Sequence, residues 1–345
     1  MSTSMSLHAA ILLAASSAVF AQAAPEPLYE KELKAAQDHR FGCFGQGRDD
    51  ACAAMVAGYE RAMNAPDATD AVRHALFGRR LQVVAVRGSK LREAGDVEAA
   101  LRVLEPGYAA MVGHYEGGKH FHTVIENLRL QQEMVLALAS AGRTAEAEGL
   151  LSAARSAADS VYAQRAQAVG NKSATELVYQ AFVGSETLEA AIGEFFRDQS
   201  RAADAGGQAG ARRALALAAY QRAEQWLRRK VEAGVRGGMD IRGDLRLSEF
   251  QLEQASLHLD GGAKKEAEDN FLSASAVCLY LNDDDVANFN LSPLQGAEVN
   301  IASSYCQRAR LGWGLATGEA QKEIGEAVDK MVEQQLEIMR EAAGS

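Results

Sequence analysis

Proline is scarce in this 345-residue chain, with 5 in all, and aromatic residues make up 6%. β-Branched residues are sparse too, and the period-two alternation of half-buried strands is nearly absent from end to end. These shortages exclude a β-rich fold, because the residues that favour extended chain are missing and the one that breaks helices is rare. Beyond residue 21 no apolar run is long enough to span a bilayer. No serine nucleophile elbow, paired-histidine zinc helix or dinucleotide-binding glycine loop occurs in the sequence. An enzyme of those classes is thereby excluded, leaving only an active site assembled from scattered residues.

What the chain does have is alanine, apolar material and helical spacing. Apolar residues reach 48%, ample for a core and too many for a disordered chain, and the formal charge is -10. Ala9 to Ala21 is an apolar run that ends in the small-x-small pattern Ala21-Gln22-Ala23. It reads as an export signal over 1–23 with cleavage near Ala23, although no Lys or Arg precedes it. An N-terminal anchor, or a start at Met5, is the alternative. No Cys follows the run closely, which argues against a lipoprotein anchor. The mature chain is expected in the periplasm or secreted.

Four cysteines in an exported chain suggest disulfides. Cys43 and Cys52 bracket a turn between two predicted helices and are expected to be bridged. Cys278 and Cys306 can be level only if the helix holding Cys278 runs on through Asp283-Asp284-Asp285 to about Asn288. A second bridge is expected on that condition, and two buried thiols are the alternative.

Apolar spacings of three and four predict twelve helices in six antiparallel pairs. These are 26–40 with 48–64, 68–94 with 96–115, 121–141 with 144–165, 175–204 with 208–233, 244–260 with 263–282 or longer, and 294–317 with 319–342. A break near Gly184-Ser185 is expected in the fourth pair. Asp96 and Thr144 are candidate N-caps, and Ser292-Pro293 is a candidate helix start. The first pair, 24–66, reads as a disulfide-linked N-terminal unit, and 67–345 as an array built on it.

Four segments share one pattern of glycine, small residue, bulky apolar residue and small residue. They are GDVEAALRVLEPG from Gly95, GRTAEAEGLLSAA from Gly142, GGQAGARRALALA from Gly206 and GAKKEAEDNFLSA from Gly262. Ala320, Ile324 and Ala327 keep the phase in a degenerate fifth copy. Small residues on a helix face let two helices cross closely, with the apolar residue filling the groove between them. A unit that cannot bury its face alone must stack on its neighbours.

With their helix turns these segments resemble the tetratricopeptide repeat. The resemblance covers the turn and second helix of each pair. The spacing between copies is uneven and the Trp, Leu-Gly and Tyr marks of that family's first helix are missing, so it reaches only as far as a tetratricopeptide-like repeat. It implies an all-α fold of antiparallel helix pairs, stacked as a solenoid or closed into a compact helical array. It also implies a protein or peptide partner held in a groove lined by the first helices.

Several constellations invite a chemical reading. Gly113-His114-Tyr115-Glu116-Gly117-Gly118-Lys119-His120 nearly spells a phosphate loop but lacks the Ser or Thr after Lys and the preceding strand. His114, His120 and His122 cluster in the same turn and, with Glu116, are weak metal-ligand candidates against ordinary surface histidines. Asp283-Asp284-Asp285 with Asn282 and Asn288 lacks the glycine of a calcium loop and reads as a solvated face.

A basic stretch runs through Arg197, Arg201, Arg212, Arg213, Arg222, Arg228, Arg229, Lys230, Arg236, Arg242 and Arg246. In an acidic protein such an asymmetry can steer an anionic partner. Arg222 and Arg229 share a face with Trp226, and an exposed Trp between two arginines would make a binding anchor. The alternative is a solvated face with Trp226 in the core.

The sequence therefore reads as an exported, non-enzymatic helical-repeat protein of the bacterial envelope that binds a protein or peptide. It needs no cofactor and engages no nucleic acid. An all-helical enzyme acting on envelope polymers, and a periplasmic ligand or metal carrier using the histidine turn, are the alternatives.

Overall fold

The computed structural model of the protein describes residues 26–114, 127–165, 172–202, 208–233, 241–281 and 293–318. Among these residues the chain is all helical and has no strand. The α-helices are α1 (Leu28–Gln37), α2 (Asp49–Asn64), α3 (Asp70–Glu93), α4 (Val97–His114), α5 (Leu128–Ser140), α6 (Thr144–Ala163), α7 (Lys172–Ala202), α8 (Gln208–Glu232), α9 (Ile241–Asp260), α10 (Lys264–Ala274) and α11 (Pro293–Thr317). Each packs on the next, and α3 meets α5, α5 meets α7 and α9 meets α11 across the pairs. The result is an array of stacked helix pairs, with first helices α3, α5, α7 and α9 and second helices α4, α6, α8 and α10.

The repeated glycines end helices. Gly95, Gly142 and Gly262 have φ of 86°, 75° and 78°, the left-handed conformation that other residues adopt only with strain. The same closure follows each one. Asp96 N donates to Leu91 O, Arg143 N to Leu138 O and Ala263 N to His258 O, all at 2.9 Å. This bond satisfies a carbonyl of the last helical turn and turns the chain into the next helix. Asp96 then caps α4, its carboxylate accepting from Ala99 N at 2.9 Å. Thr144 does not cap. It is the first residue of α6, and Arg143 before it makes no side-chain capping bond.

Three of the four copies bury their motif residues. Ala100 and Leu104 are 0% exposed, Ala147, Leu151 and Ala154 are buried, and so are Ala267, Phe271 and Ala274. Leu104 of α4 lies against Gly88 of α3, where a Cβ would come within 2.4 Å of it. Phe271 of α10 lies on Gly312 of α11 in the same manner. The copy from Gly206 behaves differently. Ala211, Leu215 and Ala218 face solvent, and Leu215 is 42% exposed, whereas Ala216, Ala219 and Tyr220 are buried. The buried stripe of α8 is turned by one residue from the sequence pattern, so that segment is not a repeat in phase with the others. The fifth copy, Ala320, Ile324 and Ala327, lies outside the described residues, as does the predicted helix 319–342.

The break expected at Gly184-Ser185 does not occur, and α7 runs unbroken from Lys172 to Ala202. Gly184 serves close packing there, since a Cβ would lie 2.6 Å from Leu128 of α5. Both disulfides are formed, Cys43–Cys52 and Cys278–Cys306, with Cα separations of 4.6 and 5.1 Å. The first ties a π-turn over Phe41–Gly45 to α2. The run through Asp283-Asp284-Asp285 to about Asn288, on which the second was expected to depend, lies outside the described residues. α10 ends at Ala274 and continues as a 3-10 segment, Ser275–Leu281, which carries Cys278. Helix α11 starts at Pro293, as the sequence indicates, while Ser292 lies outside the described residues.

α5 is the central helix, with every residue from Leu128 to Leu138 buried except Arg129. The first pair is continuous with the array, because Cys43, Met55 and Tyr59 share a cluster with Leu76 and Val83 of α3. Among the described residues no helix is long and apolar enough to cross a membrane.

The close crossing gives a direct test. Gly88→Ala forces a methyl into Leu104 and is expected to lower unfolding free energy by about 1–3 kcal/mol. Gly78→Ala on the same helix meets nothing within 4 Å and is expected to be neutral or to stabilise by up to about 1 kcal/mol. Urea denaturation of the two variants checks this, and equal effects would contradict the interlock.

Candidate functional site

The first helices α3, α5, α7 and α9 line a groove of about 740 Å³, with Tyr220 of α8 at its wall. Its apolar surface comes from Leu136, Ala190, Ala191, Phe195 and Phe250. Four arginines and six carboxylates line the rest. Two clusters centre on a carboxylate held by two arginines, and a third on an arginine that holds two carboxylates.

On α5, Glu133 is 1% exposed and accepts from Arg92 of α3 at 3.2 Å and from Arg129 at 3.1 Å. The amide of Gln132 donates to the same carboxylate at 3.1 Å. On α9, Glu253 accepts from Arg197 of α7 at 2.8 Å and from Arg308 of α11 at 3.0 Å. Arg246 of α9 bridges back to Glu186 of α7 at 3.0 Å and holds Glu249 at 2.6 Å, with its guanidinium 4.7 Å from the Phe250 ring centroid. Arg197 also donates toward the Tyr220 hydroxyl at 3.4 Å and pairs with Asp198 at 2.8 Å.

Burial by itself raises the Glu253 carboxyl, but hydrogen bonds from Arg197 and Arg308 outweigh it and hold the group below its ordinary value. Burial raises the Tyr220 phenol well above its usual range, against the opposing pull of Arg197. Both groups therefore keep one protonation state near neutral pH. Proton transfer needs a group titrating near the working pH, and neither of these does. The most exposed charges of the groove are acidic, Glu194 and Asp198, with side chains 66% and 62% exposed.

Six arginines of the basic stretch singled out in the sequence pair with carboxylates, all but Arg228 with a carboxylate from another helix. Arg201 pairs with Asp260, Arg228 with Glu224, and Arg197 and Arg246 with the groove acids. Arg222 donates to Asp159 at 3.2 Å and to Glu189 at 3.0 Å, and Arg229 donates to Asp159 at 2.9 Å. Trp226 is 1% exposed and packs edge-on against Tyr162 and Phe182, so it is a core residue and not an exposed anchor. Arg229 lies over the Tyr162 and Trp226 rings, which fixes its stem and head together. Burial opposes ionisation of Asp159, and Arg229 and Arg222 overcome it to hold the carboxyl low. Reversing the charge of Arg222 and Arg229 would crowd four carboxylates and would report on packing rather than on a partner. Arg236 lies outside the described residues.

His114 stacks on Phe77 at 4.2 Å and stands 6.0 Å from His74. Burial lowers its pKa first and the charge of His74 second. His120, His122 and Glu116 lie outside the described residues, as do the rest of the phosphate-loop-like turn and the Asp283–Asp285 cluster. Among the described residues no group of three or more His, Cys, Asp or Glu is arranged to hold a metal ion.

Glu133, Glu186, Glu189 and Glu253 escaped sequence reading. Their partners lie as much as 60 residues away, as Glu186 does from Arg246. The one local signal is a carboxylate on an otherwise apolar stripe, which Glu133 provides between Gln132 and Met134. Comparison with protein-family models, curated proteins and solved structures finds no match to this chain.

Two outcomes follow from the buried acids. Glu189 is 1% exposed and held by Arg155 at 2.6 Å as well as by Arg222. Glu189→Ala leaves two guanidinia without their shared carboxylate and is expected to cost about 3 kcal/mol in urea unfolding. A loss below about 1 kcal/mol would mean that solvent already satisfies those arginines. Glu253 is depressed on folding, so its contribution is complete above the unfolded carboxyl value and is lost as pH falls through the folded one. Glu253→Gln is expected to flatten the acid-side fall in urea midpoint between about pH 5 and 3, and an unchanged slope would assign that fall to other carboxylates.

Proposed function

We propose that this is an exported, tetratricopeptide-like helical-repeat protein that binds a protein or peptide segment in the groove of its first helices. The observation that carries this reading is the groove itself. It crosses four successive first helices, combines apolar floor with fixed charge, and at about 740 Å³ falls in the size range of binding sites. A resemblance read only from turns and second helices implied a groove on the opposite members of each pair, and one lies there. Rigid helices holding pre-paired charges present the same surface before and after binding, which lowers the ordering cost.

The partner suited to this surface is a segment carrying both apolar and basic side chains. The arginines that suggested an anionic partner are engaged by carboxylates, and the most exposed charges are Glu194 and Asp198. Two formed disulfides support an oxidising compartment such as the periplasm or exterior. A non-enzymatic role is supported by the ion-paired state of the groove carboxylates. At Glu253 the arginine partners favour the ionised form over proton exchange.

Selection from a peptide-display library against the protein, followed by fluorescence polarisation of the selected peptides, tests the reading. Enrichment of apolar–basic sequences is expected. Thr187→Trp, which fills the groove, and the Glu194→Lys/Asp198→Lys pair are each expected to weaken binding by roughly tenfold or more. Arg102→Gln, on the exposed face of α4, is expected to leave it unchanged. Selected peptides that bind Thr187→Trp as tightly as the parent would sink the groove assignment.

A further inference from the structure

A second cleft, of about 420 Å³, lies at the other end of the described chain and has the opposite chemistry. Its walls come from the end of α1, the disulfide-tied π-turn, α2 and α3. Gln37, Arg40, Tyr59, Arg79 and Gln82 supply every polar side chain in its lining, and no carboxylate is among them. Met55 and Val83 form an apolar floor, each 1% exposed, and Phe44 stands over it 45% exposed.

None of those five polar side chains makes a hydrogen bond or ion pair among the described residues. Most arginines among the described residues have an acid partner instead. On the same helix Arg73 pairs with Asp70, Arg80 with Glu60 and Arg87 with Asp49. Arg61 of α2 pairs with Glu32. Arg79 and Arg40 are passed over by all of these acids. Tyr59 is 6% exposed, and its hydroxyl has no partner among the described residues. The hydroxyl opens to the solvent of the cleft, where it is free to donate to a ligand.

Guanidinium, amide and phenol groups are donors matched to an oxyanion, and the fork of Arg suits carboxylate and phosphate alike. Phe44, Met55 and Val83 add a surface for an apolar body. We propose that this cleft binds a small organic anion, an oxyanion head of carboxylate or phosphate type attached to a planar apolar group. Arg40 and Arg79 hold the head, the Tyr59 hydroxyl donates to it, and Phe44 packs on the body. The Cys43–Cys52 bridge fixes the turn carrying Phe44 to α2, which sets the ring over the floor. The site is independent of the groove between the first helices.

Titration calorimetry and ligand-observed NMR with benzoate, phenyl phosphate, inorganic phosphate and benzamide test this on the full mature chain. Saturable binding of benzoate or phenyl phosphate is expected, and the stronger of the two identifies the head group. Benzamide, the neutral counterpart, and inorganic phosphate, which lacks the body, are each expected to bind at least roughly tenfold more weakly. Arg79→Gln and Arg40→Gln remove exposed, unpartnered groups and are expected to keep the fold by circular dichroism while weakening the anion roughly tenfold. Arg102→Gln removes an equal charge elsewhere and is expected to change nothing. No saturable binding of either aromatic anion, equal binding of benzamide, or an equal loss in Arg102→Gln would each overturn the proposal.

Discussion

The array depends on how closely its helices cross. At Gly88 against Leu104 and at Gly312 against Phe271 there is no room for a Cβ, so the large apolar side chain of a second helix sits directly on the backbone of a first helix. The left-handed glycines at 95, 142 and 262 set the angle at which each second helix returns. With the turn and the contact both fixed, the first helices of successive pairs are held side by side. The groove across α3, α5, α7 and α9 is a consequence of that alignment.

The same alignment explains the charges. Side-by-side helices bring residues distant in sequence within hydrogen-bonding reach, and the chain uses this to pair arginines with buried acids. Glu133, Glu189 and Glu253 each receive two arginines. Buried pairs of this kind add less to stability than their geometry suggests, because desolvation offsets attraction. Their effect is to fix register, since a slipped helix would leave a carboxylate buried and unpaired. Together with the more exposed pairs they take Arg197, Arg201, Arg222, Arg228, Arg229 and Arg246 of the basic stretch out of the set of groups available to a partner. Arg40 and Arg79 of the N-terminal cleft stand outside this pairing.

Much of the fold was legible in the sequence because turns and packing positions are local. Helix ends were read within a few residues from Gly95, Gly142 and Gly262, and both cysteine pairs were identified. The failures have physical causes. Gly184 resembled a break and is a contact, because sequence cannot tell a glycine that frees the chain from one that admits Leu128. The segment from Gly206 matched the pattern letter by letter, yet α8 turns its face by one residue, since Ala216 and Ala219 fill the groove as well as Ala211 and Ala218 would. Trp226 sat between two arginines on one face, and only tertiary contact with Tyr162 and Phe182 assigns it to the core. The groove acids were invisible for a related reason: a Glu on a helix is ordinary until its partner from another pair is known.

The proposed function rests on faces rather than on motifs. The residues that made the sequence recognisable are consumed in holding helices together, and the surface left over is that of the first helices. Amide hydrogen exchange of the protein with and without a selected peptide tests this most directly. Added protection is expected along the groove-lining turns of α3, α5, α7 and α9, with α4, α6 and α10 unchanged. Protection concentrated on the second helices instead would contradict the assignment of the groove as the binding face.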